Sequence, residues 1–245
     1  MQRNYGTAQK LGGRDNQCDA TAVATVNGVR AYALLDGIGD KPYVRDWTRK
    51  AARRLARTAA RLHDAEAGLR HERDYYAREN DRQGPWGLSP KACALVAVEA
   101  PGLPLTVAWS GDVRAYWLVR GTLRPLTQDH NLRRVYPPCD LYPEGGNRHM
   151  VTSCLGSVDT DQDVKDAVGH PAVEAATVHA ERGRLLLACD GAYEPHEDAG
   201  HNLGDLLYGT PTEAARRVVA DAVATALTVT NRPDNSTALV ADLYM

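Results

Sequence analysis

Apolar residues along the chain fall into strand-sized runs that surround two amphipathic blocks. The first runs are Ala20 to Val26 and Val29 to Leu35. Asn27-Gly28 lies between them and predicts a hairpin, because both residues tolerate positive φ. Val44, Trp47, Ala51, Leu55, Ala59 and Leu62 then recur at spacings of three and four, which puts them on one helix face. Arg45, Arg49, Arg53, Arg54, Arg57 and Arg61 take other positions and read as the solvated face, although such a row can also meet an acidic partner. The charged stretch to about Arg82 predicts a second helix, broken by Gly84-Pro85 and Ser89-Pro90.

Three more strand-like runs follow: Ala92 to Val98, Leu105 to Ser110 and Val113 to Val119. From His130 to Met150 the chain is polar and carries Pro137, Pro138, Pro143 and Gly145-Gly146. This predicts a long irregular excursion, a kind of segment that is often functional. Leu185 to Cys189 reads as a short buried strand. Thr210-Pro211-Thr212-Glu213 offers a capping box with proline at the first helical position. Val218, Val219, Ala222, Val223 and Ala226 supply that helix's buried stripe, and Thr237 to Leu243 ends the pattern as a strand. Strand-rich segments around two helical blocks predict mixed α and β layers in place of alternating βαβ units. With 245 residues the chain can bury one sizeable core, as a single domain or as two small ones.

Composition narrows the function classes. The formal net charge of −2, with no basic run, leaves no electrostatic footprint for nucleic acid and no sign of a membrane anchor. No apolar run approaches bilayer length. Met1 to Gly13 lacks the apolar core and small-residue cleavage site of a secretion signal. The five cysteines, Cys18, Cys93, Cys139, Cys154 and Cys189, are odd in number and contain no Cys-x-x-Cys pair. They predict buried free thiols in a reducing cytosol, not a disulfide framework or a zinc knuckle. Phenylalanine is absent, so tyrosine and tryptophan must supply the aromatic core.

Four aspartates share one local grammar. Asp36 follows Ala33-Leu34-Leu35 and precedes Gly37. Asp190 follows Leu185 to Cys189 and precedes Gly191. Asp112 follows Thr106 to Gly111, and Asp234 precedes Asn235 and the last strand. Each alone reads equally well as a turn residue. Four in one small chain suggest a common purpose, because clustered carboxylates repel one another unless a cation sits among them. Hard oxygen ligands of this kind suit Mg²⁺ or Mn²⁺ and not zinc.

Seven short motifs then occur in a familiar order. They are Arg14 to Ala20, Ala33 to Asp40, Val107 to Tyr116, Leu126 to His130, Leu155-Gly156, Leu186 to Gly191, and Asp234 to Thr237. Together they resemble the type 2C, PPM-class, metal-dependent serine/threonine protein phosphatases in their compact bacterial form. The resemblance implies one α+β domain over residues 1–245, a four-layer αββα sandwich with two mostly antiparallel central sheets. It implies two Mn²⁺ or Mg²⁺ ions with a third, looser one. Asp36 would bridge two ions, the Gly37 carbonyl would add a ligand, and Asp190 and Asp234 would complete one site. Asp112 with Asp190 matches the third position, and Arg14 would hold the substrate phosphate. A metal-bridging hydroxide would attack the phosphorus of phosphoserine or phosphothreonine. The implied substrate is a phosphorylated protein, product of a serine/threonine kinase, and the implied setting is a cytoplasmic monomer. No cysteine lies in a Cys-x₅-Arg loop, which speaks against a thiol-based phosphatase.

The sequence departs from the family pattern at several points. Cys18 stands where many members carry Glu, so the second metal position loses a carboxylate. Asp19 beside it could hold metal-bound water, and Gln17 takes the Glu position under a one-residue shift. Ile38, Asp40, Val113 and Lys91-Ala92-Cys93 also differ. These departures keep an alternative open: a weak or inactive pseudophosphatase that binds a phosphorylated partner. His130, after Asp129, reads as a structural hydrogen-bonding residue more readily than as a proton donor.

Overall fold

The computed structural model describes residues 4–79, 89–179, 182–229 and 231–243. Tyr5–Lys10 (β1) opens it, an edge strand that the hydrophobic pattern does not announce. Ala20–Val26 (β2) and Val29–Gly37 (β3) form the expected hairpin. Asn27 and Gly28 hold φ of 49° and 84°, the left-handed conformations a two-residue turn needs.

Pro42–Leu62 (α1) starts with proline in its first turn, where the missing N–H is harmless. Ala65–Ala77 (α2) is capped by Asp64, whose side chain accepts from the Ala67 amide at 2.7 Å. The two helices pack closely because α2 presents Gly68: a Cβ there would lie 2.5 Å from the Ala59 Cβ. Helix α2 ends at Ala77, before Arg82, and Gly84-Pro85 lies outside the described residues. Arg54 also departs from the solvated-face reading. It pairs with the fully buried Glu72 of α2, which accepts a second bond from Thr58 at 2.6 Å, and its guanidinium lies 3.5 Å from the Tyr75 ring centre.

Ala92–Glu99 (β4), Leu105–Ser110 (β5), Arg114–Val119 (β6) and Thr122–Pro125 (β7) follow. The excursion 130–150 contains one short helix, Leu132–Val135 (α3), among turns. Then come Asp161–Val168 (α4), Glu174–Val178 (β8), Gly183–Ala188 (β9), Asp190–Ala199 (α5), Pro211–Val229 (α6) and Ser236–Leu243 (β10). The capping box at α6 is formed in both directions: Glu213 accepts from the Thr210 amide at 2.9 Å, and Thr210 accepts from the Glu213 amide at 3.3 Å.

Among the described residues the strands make two five-stranded sheets, ordered β1-β10-β9-β6-β7 and β2-β3-β4-β5-β8, with every pairing antiparallel. Helices α1 and α2 cover the second sheet; α5 and α6 cover the first. This is the αββα sandwich the motifs implied. Strand alternation sorts the layers. Tyr32 and Leu34 of β3 face the inter-sheet core with Leu95, Leu185 and Leu187. Ala31, Ala33 and Leu35 face Ala52, Leu55 and Ala59 of α1. Each fully buried leucine contributes about 1.5–3 kcal/mol over its exposed state. Four cysteines are buried as expected, but Cys139 is exposed in the 130–150 excursion. No helix among the described residues is long and apolar enough to cross a membrane.

The register decides where function can sit. Asp36 lies opposite Cys93, Ala94 opposite Ser110, Ala188 opposite both Arg114 and Ala238, and Lys10 opposite Ser236. The ends of β1, β3, β5 and β9 therefore meet the starts of β2, β4, β6 and β10 at one edge of the sandwich.

Candidate functional site

All the acidic residues singled out in the sequence converge on that edge. Asp36 sits near the end of β3, inside the strand, so Asp36-Gly37 is not a turn. A Cβ on Gly37 would fall 2.4 Å from the Cys18 carbonyl oxygen; only glycine lets the two segments approach. Asp190 is the first residue of α5, where the unpaired amides of a helix start favour a carboxylate, and its Oδ1 accepts from the Gly191 amide at 2.6 Å. Gly191 in turn abuts Asn235, so the first turn of α5 touches the loop that carries Asp234. Asp112 occupies the β5–β6 turn and is buried. Asp19 is buried just before β2, and Thr237 donates to its carboxylate at 2.7 Å.

The electrostatics follow from burial and like charge. Burial, then the negative charges of Asp190, Asp19 and Asp112, push the Asp36 carboxyl well above the usual carboxylate range. Burial and Asp190 raise Asp112 to about 7. Burial also raises Asp19 to about 7, with Thr237 acting the other way. Asp190 is raised by burial and by Asp234. Ionising these carboxylates together is costly, and a compensating cation would offset that cost. The Cys189 sulfur lies within 4.8 Å of Asp36 and Asp190 oxygens. Burial first, and then the nearby aspartates, push its thiol well above the ordinary range, which keeps it protonated and a poor ligand. The other donors of that group, on Asp36 and Asp190, are oxygens, which fit a hard divalent cation.

Arg14 lies on the exposed rim and pairs with Asp234. Its loop is pinned by Asp40, which accepts from the amides of Asp15 at 2.9 Å and Asn16 at 2.7 Å. Asp40, one of the departures from the family pattern, thus fastens the Arg14 loop.

No protein-family model matches the sequence, and no curated protein sequence does either. Solved structures do. The PPM Ser-Thr phosphatase MsPP of Mycobacterium smegmatis, in complex with cacodylate, is similar over 98% of this chain and 97% of its own, at a TM-score of 0.72 and 23% identity. The serine/threonine phosphatase of Mycobacterium tuberculosis covers 98% of each chain at a TM-score of 0.67 and 22% identity. That of S. agalactiae covers 98% of this chain and 99% of its own at 0.72 and 17%. The chain has the PPM phosphatase fold.

Within this PPM fold the sequence departures leave the carboxylates in place. Cys18 is buried; its amide donates to Asn235 Oδ1 at 2.8 Å and its sulfur lies 3.7 Å from the Lys41 carbonyl. Gln17 turns its side chain to the Lys10 carbonyl at 3.1 Å and to the Asp19 amide at 3.3 Å, so it serves the backbone. Val113 is fully buried. His130 is buried too, 2.9 Å from Glu174 and stacked on His170 with centroids 4.3 Å apart, the structural role expected of it.

Three residues beside the acidic edge escaped the sequence reading. Glu194 stands one turn beyond Asp190 on α5, and burial with Asp190 raises it to about 8 against the opposing charge of Arg148. Arg148 makes two 2.7 Å bonds to Asp198 and lies 3.3 Å from Glu194. His149 follows it, within reach of both Asp190 and Glu194. With Asp190, Asp234 and Val229 they line a cavity of about 200 Å³. The four-residue spacing of Asp190 and Glu194 was visible, but only a helix starting at Asp190 gives it meaning. Nothing local marks Arg148 or His149.

Proposed function

We propose that the chain, as one PPM-type domain over residues 1–245, is a metal-dependent phosphatase that removes phosphate from phosphoserine and phosphothreonine in proteins. The observation that carries this reading is the convergence of Asp19, Asp36, Asp112 and Asp190, four carboxylates packed so tightly that burial and mutual repulsion raise all of them. The PPM fold around them supports it. Asp36, the Gly37 carbonyl, Asp190 and Asp234 would hold one Mn²⁺ or Mg²⁺ ion, with Asp36 shared by a second. Asp19 would orient water beside the second, and Asp112 with Asp190 would bind a third, looser ion. When bound, such cations supply a water of lowered pKa and positive charge beside the phosphoryl oxygens.

The chain's own residues do the rest. Arg14 presents a planar fork of N–H donors on the rim, suited to two oxygens of a phosphate. Its ion pair with Asp234 holds it ready, and Asp40 keeps its loop in place. Gly37 and Gly191 allow the close backbone approach that brings the carboxylates together. The reading includes a cytoplasmic monomer acting on the product of a serine/threonine kinase; the buried free thiols support a reducing compartment. The convergence of Asp19, Asp36, Asp112 and Asp190 supports a hydrolase over the binding-only alternative, although Cys18 leaves the second position one carboxylate short.

The test is hydrolysis of a phosphoserine or phosphothreonine peptide with and without Mn²⁺. Metal-dependent turnover that falls at least about a hundredfold in Asp190→Asn is expected. Turnover indifferent to metal or to that substitution would overturn the reading.

A further inference from the structure

The C-terminal end of α5 carries a second cluster of metal-ligating atoms that the phosphatase reading does not use. Gly200 ends the helix at φ 70°, and the reversed chain bonds the His201 amide back to the His196 carbonyl at 2.8 Å. This folds His201 over the last turn of α5. Asp221 approaches from α6, one turn beyond Val218. One nitrogen of each imidazole and a carboxylate oxygen of Asp221 lie within 4.8 Å of one another.

His196 is the telling member. Its side chain is fully buried, and its Nε2 lies 3.4 Å from the Val218 carbonyl. A carbonyl only accepts, so Nε2 carries the hydrogen and the lone pair sits on Nδ1. That Nδ1 has no hydrogen-bond partner. It faces Asp221 Oδ2 at 3.4 Å, an acceptor facing an acceptor. Burial lowers the His196 pKa, which opposes relief by protonation. A cation between the two atoms would satisfy both.

We propose that His196 Nδ1, His201 Nδ1 and Asp221 bind a borderline-soft divalent cation of the Zn²⁺ class, separate from the acidic centre. Ligand bonds of about 2.0–2.1 Å in tetrahedral array put ligand atoms about 3.3–3.4 Å apart. The His196–Asp221 separation of 3.4 Å already matches. His201 Nδ1 lies 4.0 Å from Asp221, and its side chain is 53% exposed, so a small rotation closes the gap. Two imidazoles select such an ion over Mg²⁺, whereas the all-oxygen set at Asp36 and Asp190 favours the harder cation. The Val218 carbonyl behind Nε2 is the kind of outer partner that fixes a ligating histidine's tautomer. Water would take the fourth position on the open side. The ion would clamp α5 to α6, and the opposite end of α5 bears Asp190, about 9 Å away along the helix at 1.5 Å per residue.

The test is a calorimetric Zn²⁺ titration of the metal-stripped full chain in excess Mg²⁺, with Co²⁺ absorption as a readout of tetrahedral geometry. One zinc per chain is expected, together with intense visible Co²⁺ bands. His201→Ala and Asp221→Asn, both at partly exposed positions, should each weaken zinc by at least about 10-fold, the lower bound for losing even an outer-shell partner. Asp190→Asn should retain it. Zinc affinity unchanged in both His201→Ala and Asp221→Asn, loss confined to Asp190→Asn, or no zinc uptake at all would each overturn the proposal. Because Asp190→Asn strikes the phosphatase reading alone, the two ideas fail separately.

Discussion

Thr237 donates its hydroxyl hydrogen to the Asp19 carboxylate at 2.7 Å, a bond that joins the first strand-turn of one sheet to the last strand of the other. Asp19 is fully buried, and that burial raises it to about 7 while Thr237 pulls the other way. Thr237→Val keeps the shape and removes the donor. It should raise the Asp19 pKa further and weaken Mn²⁺ binding at neutral pH by about 10–100-fold, the range typical of lost outer-shell partners. Calorimetric titration with Mn²⁺ checks this, and an unchanged affinity would detach Asp19 from the centre.

Stability should depend on pH in a direction set by the same cluster. Asp19 and Asp112 titrate at about 7 in the folded chain, well above the ordinary carboxylate value. Between those limits the folded state binds more protons than the unfolded state, so stability falls as pH rises. The metal-free Tm is expected to drop by several degrees from about pH 5 to about pH 8. Mn²⁺ should reverse the drop, and its affinity should climb with pH through 7 as protons leave the ligands. Asp36→Asn should flatten the metal-free slope. A thermal scan at several pH values, with and without Mn²⁺, measures all three effects.

Arg14→Ala should lower kcat/KM for a phosphopeptide by about 10–100-fold, the worth of one or two charge-assisted bonds. Arg14→Lys should recover part of the loss, because it keeps the charge and loses the planar fork. The position is exposed, so Tm should stay within about 2 °C of the parent. Steady-state kinetics on the three proteins decides it, and equal kcat/KM values would remove Arg14 from the site.

Gly191→Ala tests the geometry directly. The added Cβ would lie 2.1 Å from the Asn235 carbonyl oxygen, a clash against backbone that no rotamer relieves. A loss of about 1–3 kcal/mol in urea unfolding is expected, with Mn²⁺ affinity falling as Asp190 and Asp234 are pushed apart. Gly28→Ala sits in open space at a left-handed turn. It should cost about 1 kcal/mol in stability while leaving metal binding unchanged.

The sequence by itself determined the elements with strong local signals and the acidic positions. The Asn27-Gly28 turn, the capping box at Thr210 and the bounds of β2 and β5 follow from turn chemistry, capping and period-two patterning, all of which act over a few residues. The αββα arrangement came from seven ordered motifs, because no local rule specifies which sheet a strand joins. The aspartates were legible as candidates, since a carboxylate ending a buried apolar run needs a reason to be there. Tertiary structure alone decided the rest. The edge strand β1 has too little alternation to announce itself and exists because β10 offers it a partner. Asp190 begins a helix where the Asp-Gly pair also read as a turn. Arg148 and His149 reach Glu194 from an irregular segment more than forty residues away in sequence, and His196, His201 and Asp221 meet only where α5 lies on α6. Distances between such groups are set by packing of distant segments, and a linear pattern carries no record of them.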